Sequence, residues 1–445
     1  MTKIKKYENG ATLVYRHRKR KHTSVAAGFV FGNNRDKYPE PTAHFCEHML
    51  FKETETKDEQ QLRQAMMDTF SMLKNAHTNP LNLRIEFCRS NKALKPCFEL
   101  ASEMLLKTKF SEKCVNSEKG VIKQELVRKL TNPQSVSYYT HLRNIRTKCN
   151  KNTLVLGSEE EIDAMTPEIL KQFRDENFVS QNFIIAIEGG ISYLKAKRYA
   201  EKYFIKNLKS DPNYPADIHF SIPSDREGNL LVENYDVNKA ICCLHIKIDG
   251  IDQNNFVYRN NCADMLSQIC NGLEGKLFCL LRDNGLVYHT AMIRDLELKE
   301  GAINIDFSCS VENVNKVVDK IGELFEDLRN NPVEEQRIEK IKLNRKLSKD
   351  EEIQNIFPTR QFTNFNVYGD FIFQRQYKKE DKKIWKNLTP TDVQKFSQDV
   401  FSKPENVFMS ILTNAKPESF YTYEEIQSIL TKNKKPKKKH VEKEK

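Results

Sequence analysis

A chain of 445 residues, 39% hydrophobic and 30% charged, exceeds one ordinary core and calls for two well-solvated domains. No apolar run approaches the roughly 18 residues that span a bilayer, and neither a signal peptide nor an Arg/Ser-rich import leader follows Met1-Thr2-Lys3-Ile4-Lys5-Lys6. No membrane association is therefore expected, and the location is expected to be cytoplasmic, with an organelle matrix left open. Of the net charge of +11, the last fifteen residues supply +6 through eight Lys and two Glu, and they read as a disordered basic tail over 431–445.

The first segment reads as a β-hairpin, Ala11–Tyr15 and Ser24–Phe31, around the basic tip Arg16-His17-Arg18-Lys19-Arg20-Lys21-His22 and closed by Gly32-Asn33-Asn34. Solvated tips and tails carry such charge without a polyanion, and no aromatic residues interleave the basic runs, so nucleic-acid binding is not expected. Beyond Pro39-Glu40-Pro41, helical spacing runs over 58–73, 94–107 and 112–129. Leu83–Cys88 alternates like a strand, and a Gly-ended strand covers Asn182–Gly190. This order predicts an α+β fold, each domain a mostly antiparallel sheet covered by helices.

The pattern then repeats. Met165-Thr166-Pro167 and the helix after it resemble Leu388-Thr389-Pro390, 223 residues on, with Thr as N-cap and Pro at the first helical position in both. The helix over 334–349 answers the one over 112–129 at nearly the same offset. A repeat of that length means duplication of a whole domain. The expected division is 1–214, 215–430 and the tail, with Asp211–Pro223 as linker. Eleven cysteines without CxxC spacing read as buried thiols in a reducing compartment, which leaves no thiolate zinc cluster.

The chemistry concentrates in Ala43-His44-Phe45-Cys46-Glu47-His48-Met49-Leu50. On a helix His44 and His48 share a face, with Glu47 beside them, which is the H-x-x-E-H arrangement of inverzincins. Imidazoles suit zinc, and a catalytic site needs a third protein ligand plus an open position for water. Glu47 is the candidate general base for that water. A second helix offers Glu118 and Glu125, two turns apart on one face.

On these residues the chain resembles the pitrilysin/insulinase family of zinc metallopeptidases, in particular short two-domain members similar to mitochondrial processing peptidase. The family places a ligand glutamate downstream of H-x-x-E-H, and Glu125 lies 77 residues beyond His48. The resemblance implies one zinc held by His44, His48 and Glu125, with Glu118 supporting catalysis. Arg35-Asp36, Leu50-Phe51-Lys52 and Asn75-Ala76-His77-Thr78 also match, which implies substrate contact by Asn75 and a neighbouring, non-ligand role for His77. Leu281-Arg282-Asp283-Asn284-Gly285-Leu286-Val287-Tyr288 resembles the second-domain segment whose arginine and tyrosine reach the substrate, implying Arg282 and Tyr288 as substrate contacts and Tyr288 as an oxyanion stabiliser.

Two positions depart from the family pattern: Glu53 replaces a glycine, and Phe70-Ser71 stands where glycines are common. The resemblance further implies two similar domains facing each other in clamshell fashion. It implies endopeptidase action on peptides or unfolded segments, and assembly as a homo- or heterodimer. The alternative is a catalytically silent partner or scaffold subunit of the same fold.

Overall fold

A computed structural model describes residues 2–31, 37–69, 74–79, 82–145, 155–214, 228–249, 255–296, 300–352 and 378–431. The expected turn at 32–34, Arg35-Asp36, Phe70-Ser71, the linker from 215 and the tail from 432 lie outside the described residues. No described helix is long and apolar enough to cross a membrane. The described residues form two compact units, one made of those within 2–129, 155–214 and 349–352, the other of those within 130–145, 228–348 and 378–431.

The first unit holds a six-stranded sheet of β1 (Thr2–Lys6), β2 (Thr12–His17), β3 (His22–Val30), β4 (Lys74–Thr78), β5 (Asn82–Ser90) and β6 (Phe183–Gly189), in the order β1-β2-β6-β3-β5-β4. Alternate residues such as Leu13, Val25, Phe29, Ile85 and Ile185 enter the core, as the period-2 geometry of strands requires. The opposite face carries Ala26, Gly28, Arg84, Glu86, Ala186 and Glu188. Helices α1 (Thr42–Met49), α2 (Glu59–Thr69), α3 (Leu94–Leu106) and α4 (Glu112–Leu130) follow. Their bounds track the spacing read from the sequence.

The expected hairpin does not form. β2 and β3 pair not with each other but with β6, which runs parallel to β2 and antiparallel to β3. β6 is buried along its whole length, and a central place covers it on both edges, which a β2–β3 hairpin would prevent. The arch over 18–21 admits the end of β6 through a double glycine: Arg18 N donates to Gly189 O at 2.8 Å and Gly190 N to His22 O at 3.1 Å. A Cβ on Gly190 would lie 1.8 Å from Arg20 O.

α5 (Pro133–Ile145) follows α4 directly yet belongs to the second unit. Its Asn144 amide donates to Asn229 O and Met409 O, both at 2.9 Å, and accepts from Asn229 N. α6 (Glu159–Asp163), α7 (Pro167–Asn177) and α8 (Tyr193–Tyr203) complete the first unit.

The second sheet comprises β7 (Leu230–Asn234), β8 (Ala240–Asp249), β9 (His289–Leu296), β10 (Glu300–Cys309) and β11 (Val407–Thr413), ordered β7-β11-β8-β10-β9. With β1 set aside, this is the order and orientation of the first sheet, strand for strand: β11 runs parallel to β7 and antiparallel to β8. The repeated Thr-Pro starts behave alike. Thr166 caps α7 through Ile169 N, and Thr389 caps the helix Pro390–Val400 through Asp392 N. Nine of the ten described cysteines are buried.

The glycine contact predicts that Gly190→Ala destabilises the first unit by about 1–3 kcal/mol, the scale of forced overpacking. Gly120→Ala is the control: its added methyl meets nothing within 4 Å, and removing a mid-helix glycine stabilises by about 0.5–1 kcal/mol. Hydrogen exchange of the β6 amides reads both, and unchanged protection in Gly190→Ala would contradict the packing.

Candidate metal centre

α1 is short and sits against the first core through Phe45, Cys46 and Met49. That anchoring turns the other face of the helix to the site. His44 is buried, His48 and Glu47 are half-buried, and the two imidazole centroids lie 4.5 Å apart with planes at 64°. α4 buries Cys114, Val115, Ile122 and Leu126, and with them the carboxylate of Glu118.

What sets α4 against α1 is a short extended contact between the segments leading out of one helix and into the other. Lys109 N donates to Glu53 O at 3.1 Å, Glu55 N donates to Lys107 O at 2.9 Å, and Thr54 bridges Thr108. The Glu53 carboxylate then accepts from Ser111 N at 2.8 Å, just before α4 begins. An acidic group there satisfies a backbone N–H that the helix leaves open and complements its dipole. The departure at Glu53 is thus a fastening at the start of α4.

Two turns beyond Glu118 on α4, Glu125 meets the histidines. Its Oε2 lies 3.8 Å from His44 Nε2 and 3.6 Å from His48 Nε2, and one ligand atom from each residue falls within 4.8 Å of the others. These separations exceed hydrogen-bond length. They approach the edge of about 3.3–3.6 Å between ligands of a tetrahedral zinc with bonds of roughly 2.0–2.2 Å. Two imidazoles and a carboxylate are a donor set that zinc accepts. The residues therefore fit such an ion, and His44, His48 and Glu125 are the group among the described residues that could hold one.

The electrostatics ready two of the three side chains, His44 and Glu125, for a cation. Burial first, then the neighbouring His48, lowers the His44 pKa, keeping its imidazole neutral. Interaction with His48 holds Glu125 well below the usual carboxylate range. Burial opposes the charge on His48, but Glu118 and Glu125 outweigh it and raise that imidazole to about 9. Burial pushes the Glu47 carboxyl up, while Thr78, His48 and His77 pull it back. A carboxylate with raised affinity for a proton is better suited to accept one from water.

Outer contacts orient the set. His48 Nδ1 lies 3.1 Å from Glu118 Oε1, which turns Nε2 towards Glu125. Glu118 therefore touches a candidate ligand, not the candidate base. Lys52 Nζ lies 2.6 Å from the other Glu118 oxygen.

Asn75 is exposed on β4, the edge strand, opposite Glu86 of β5. On the same strand His77 Nε2 meets the buried Glu86 Oε1 at 2.8 Å. His77 is absent from the ligand cluster.

Arg282 and Tyr288 lie together in the second unit, both exposed. They flank the turn at Gly285, whose φ of +69° suits glycine. The Arg282 guanidinium stands 5.2 Å from the Tyr288 ring centroid and donates to the Tyr288 carbonyl.

Three side chains near the site are not marked by any local pattern in the sequence. Lys52 appeared there only as part of Leu50-Phe51-Lys52, although it is one turn beyond His48. Thr78, inside Asn75-Ala76-His77-Thr78, and Glu86, inside the alternating strand, carry no site pattern of their own, because only the pairing of β4 with β5 and the packing around it bring them near.

Comparison with known proteins gives the family. Residues 18–155 match the model for Insulinase (Peptidase family M16), and residues 164–345 match that for the Peptidase M16 inactive domain. The β subunit of the mitochondrial-processing peptidase of Saccharomyces cerevisiae is 25% identical over 218 residues, 48% of this chain and 46% of that protein. The matched stretch thus spans about half the length of that curated relative. An uncharacterized zinc protease of Rickettsia bellii is 21% identical over 378 residues, covering 82% of this chain and 85% of its own. In fold, a crystal structure of a protease from Helicobacter pylori superimposes with a TM-score of 0.77 at 17% identity, covering 93% and 99% of the two chains. Two successive models of one family thus match this chain, one over the segment with both histidines and Glu125 and the other over most of the second half, and the chain belongs to the M16, or pitrilysin/insulinase, peptidase family.

Proposed function

We propose that this chain is a zinc endopeptidase that hydrolyses peptides or unfolded segments of polypeptide. The convergence of His44, His48 and Glu125 within 4.8 Å of one another, on the same helix as Glu47, carries the reading. A bound zinc would supply a Lewis acid that acidifies water and polarises the scissile carbonyl. Glu47 takes the proton of the attacking water as the water oxygen adds to the carbonyl carbon, and returns it to the amine as the C–N bond breaks. Glu118 positions His48 and takes no part in proton transfer. Asn75, on the edge strand, is suited to an extended peptide that adds a strand there. Arg282 and Tyr288 complete the proposed substrate contacts, with Tyr288 donating to the oxyanion.

The names of the relatives support assembly as well as activity, since mitochondrial-processing peptidase β is itself a subunit. Pairing as a homo- or heterodimer belongs to the proposal. A silent partner subunit is the competing reading, and it fits best a chain that has lost a ligand. Here all three side chains remain in place.

The proposed base is tested by Glu47→Gln. That variant keeps one zinc per chain by elemental analysis, while cleavage of a mixed peptide library falls at least about 100-fold, the scale of a lost general base. Wild-type turnover in the variant would remove Glu47 from the mechanism. His48→Ala and Glu125→Ala instead lose the metal.

The pH dependence has a definite sign. Without metal, His48 keeps its proton up to about pH 9, whereas His44 and Glu125 are shifted towards their deprotonated forms. Zinc uptake at neutral pH therefore expels about one proton, and affinity rises roughly tenfold per pH unit until it flattens near pH 9. Calorimetry in buffers of different ionisation enthalpy counts that proton, and a pH-independent affinity between about 6 and 8 would contradict it.

A further inference from the structure

The segment leaving α1 carries a cation whose partners join three helices. Lys52 follows α1 by one turn, its side chain only 15% exposed. Its ammonium lies 2.6 Å from Glu118 Oε2 on α4 and 3.3 Å from Glu59 Oε1 on the first residue of α2. Glu118 in turn gives its other oxygen to His48 Nδ1 at 3.1 Å. The result is an unbroken line, Glu59–Lys52–Glu118–His48, ending at a candidate metal ligand. Glu118 is 3% exposed, and a buried carboxylate is costly unless its charge is met. Half of that charge faces an imidazole that must be neutral when it binds a metal, so the ammonium is its lasting counter-charge.

We infer that Lys52 is a positioning residue for the zinc site: it holds the Glu118 carboxylate in place, so that Glu118 Oε1 faces His48 Nδ1 and leaves Nε2 turned to the metal. The companion imidazole has no such support, since His44 Nδ1 is buried and finds no hydrogen-bond partner among the described residues. The orientation of the ligand pair therefore rests on the side that Lys52 anchors. Outer partners of this kind raise ligand basicity and fix ring orientation, and their loss typically costs 10–100-fold in metal affinity.

The inference depends on the zinc reading, and the test separates the two. Zinc affinity of the full chain is measured by competition with a chromophoric chelator, for wild type, Lys52→Met, Lys52→Arg, Glu118→Gln and the Lys52→Met/Glu118→Gln double variant. Lys52→Met is expected to bind zinc about 10–100-fold more weakly, and Lys52→Arg to retain affinity within a few-fold. The double variant should bind no more weakly than Glu118→Gln, because Lys52 acts only through that carboxylate. Nitrogen chemical shifts of His48 in the zinc-loaded protein should report a weakened Nδ1 contact to Glu118 in Lys52→Met but not in Lys52→Arg, which a merely structural lysine would not cause.

Wild-type affinity in Lys52→Met, or full additivity in the double variant, overturns the inference. If Lys52→Met does not fold, Glu59→Gln serves in its place, with a smaller loss expected and wild-type affinity counting against the relay. Failure of the wild type itself to take up zinc would defeat the zinc reading instead.

Discussion

The candidate centre depends on one short contact, the pairing of residues 53–55 with 107–109 and the seat of Glu53 on Ser111 N. α1 is only eight residues long and lacks a side-chain cap, so it has little stability of its own. The core holds it through Phe45 and Met49. α4 is longer and begins at that contact, so its residues arrive opposite the histidines at a fixed height. A slip of one residue along α4 would turn Glu125 by about 100° around the helix and remove it from the pair.

Charge balance at the centre follows from that placement. Glu118 and Glu125 stand on one face of α4 and both reach His48, yet their surroundings separate their tasks. Glu118 is deeply buried and committed to His48 and Lys52. Glu125 is half-buried, with one oxygen towards the imidazoles and the other 3.6 Å from Arg128. Glu47 differs again, because burial raises its affinity for a proton while its neighbours moderate the effect. Burial and partners thereby set three carboxylates close in space apart, in keeping with the anchor, ligand and base roles proposed for them.

The duplicated sheet gives a second view of the same plan. Both sheets insert their last strand inside the sheet, β6 between β2 and β3 and β11 between β7 and β8, and in the first unit the double glycine at 189–190 permits it. In the second half, the long connection from β8 to β9 carries helices over Phe256–Cys270 and Lys276–Leu281, where the first half carries α1. Neither has a pair of histidines, so the second unit repeats the scaffold without that motif. α5 complicates the simple division, since it follows the ligand helix in sequence yet is fastened to β11 by Asn144.

Much was legible in the sequence because it rests on local periodicity. The 3–4 spacing of His44, Glu47 and His48, the seven-residue spacing of Glu118 and Glu125, and the Thr-Pro helix starts are properties of single helices. The repeat at 223 residues and the alternation at 83–88 likewise needed no third dimension. Strand order is different in kind: four residues join β2 to β3, and a hairpin was the natural expectation, but burying β6 on both edges outweighs local closure. Lys52 and Glu53 show the same limit, since their partners lie 66 and 58 residues away in sequence. Local pattern chose the residues able to bind a metal and accept a proton. Only tertiary packing decided which carboxylate faces the imidazoles, because burial and long-range pairing belong to no single segment.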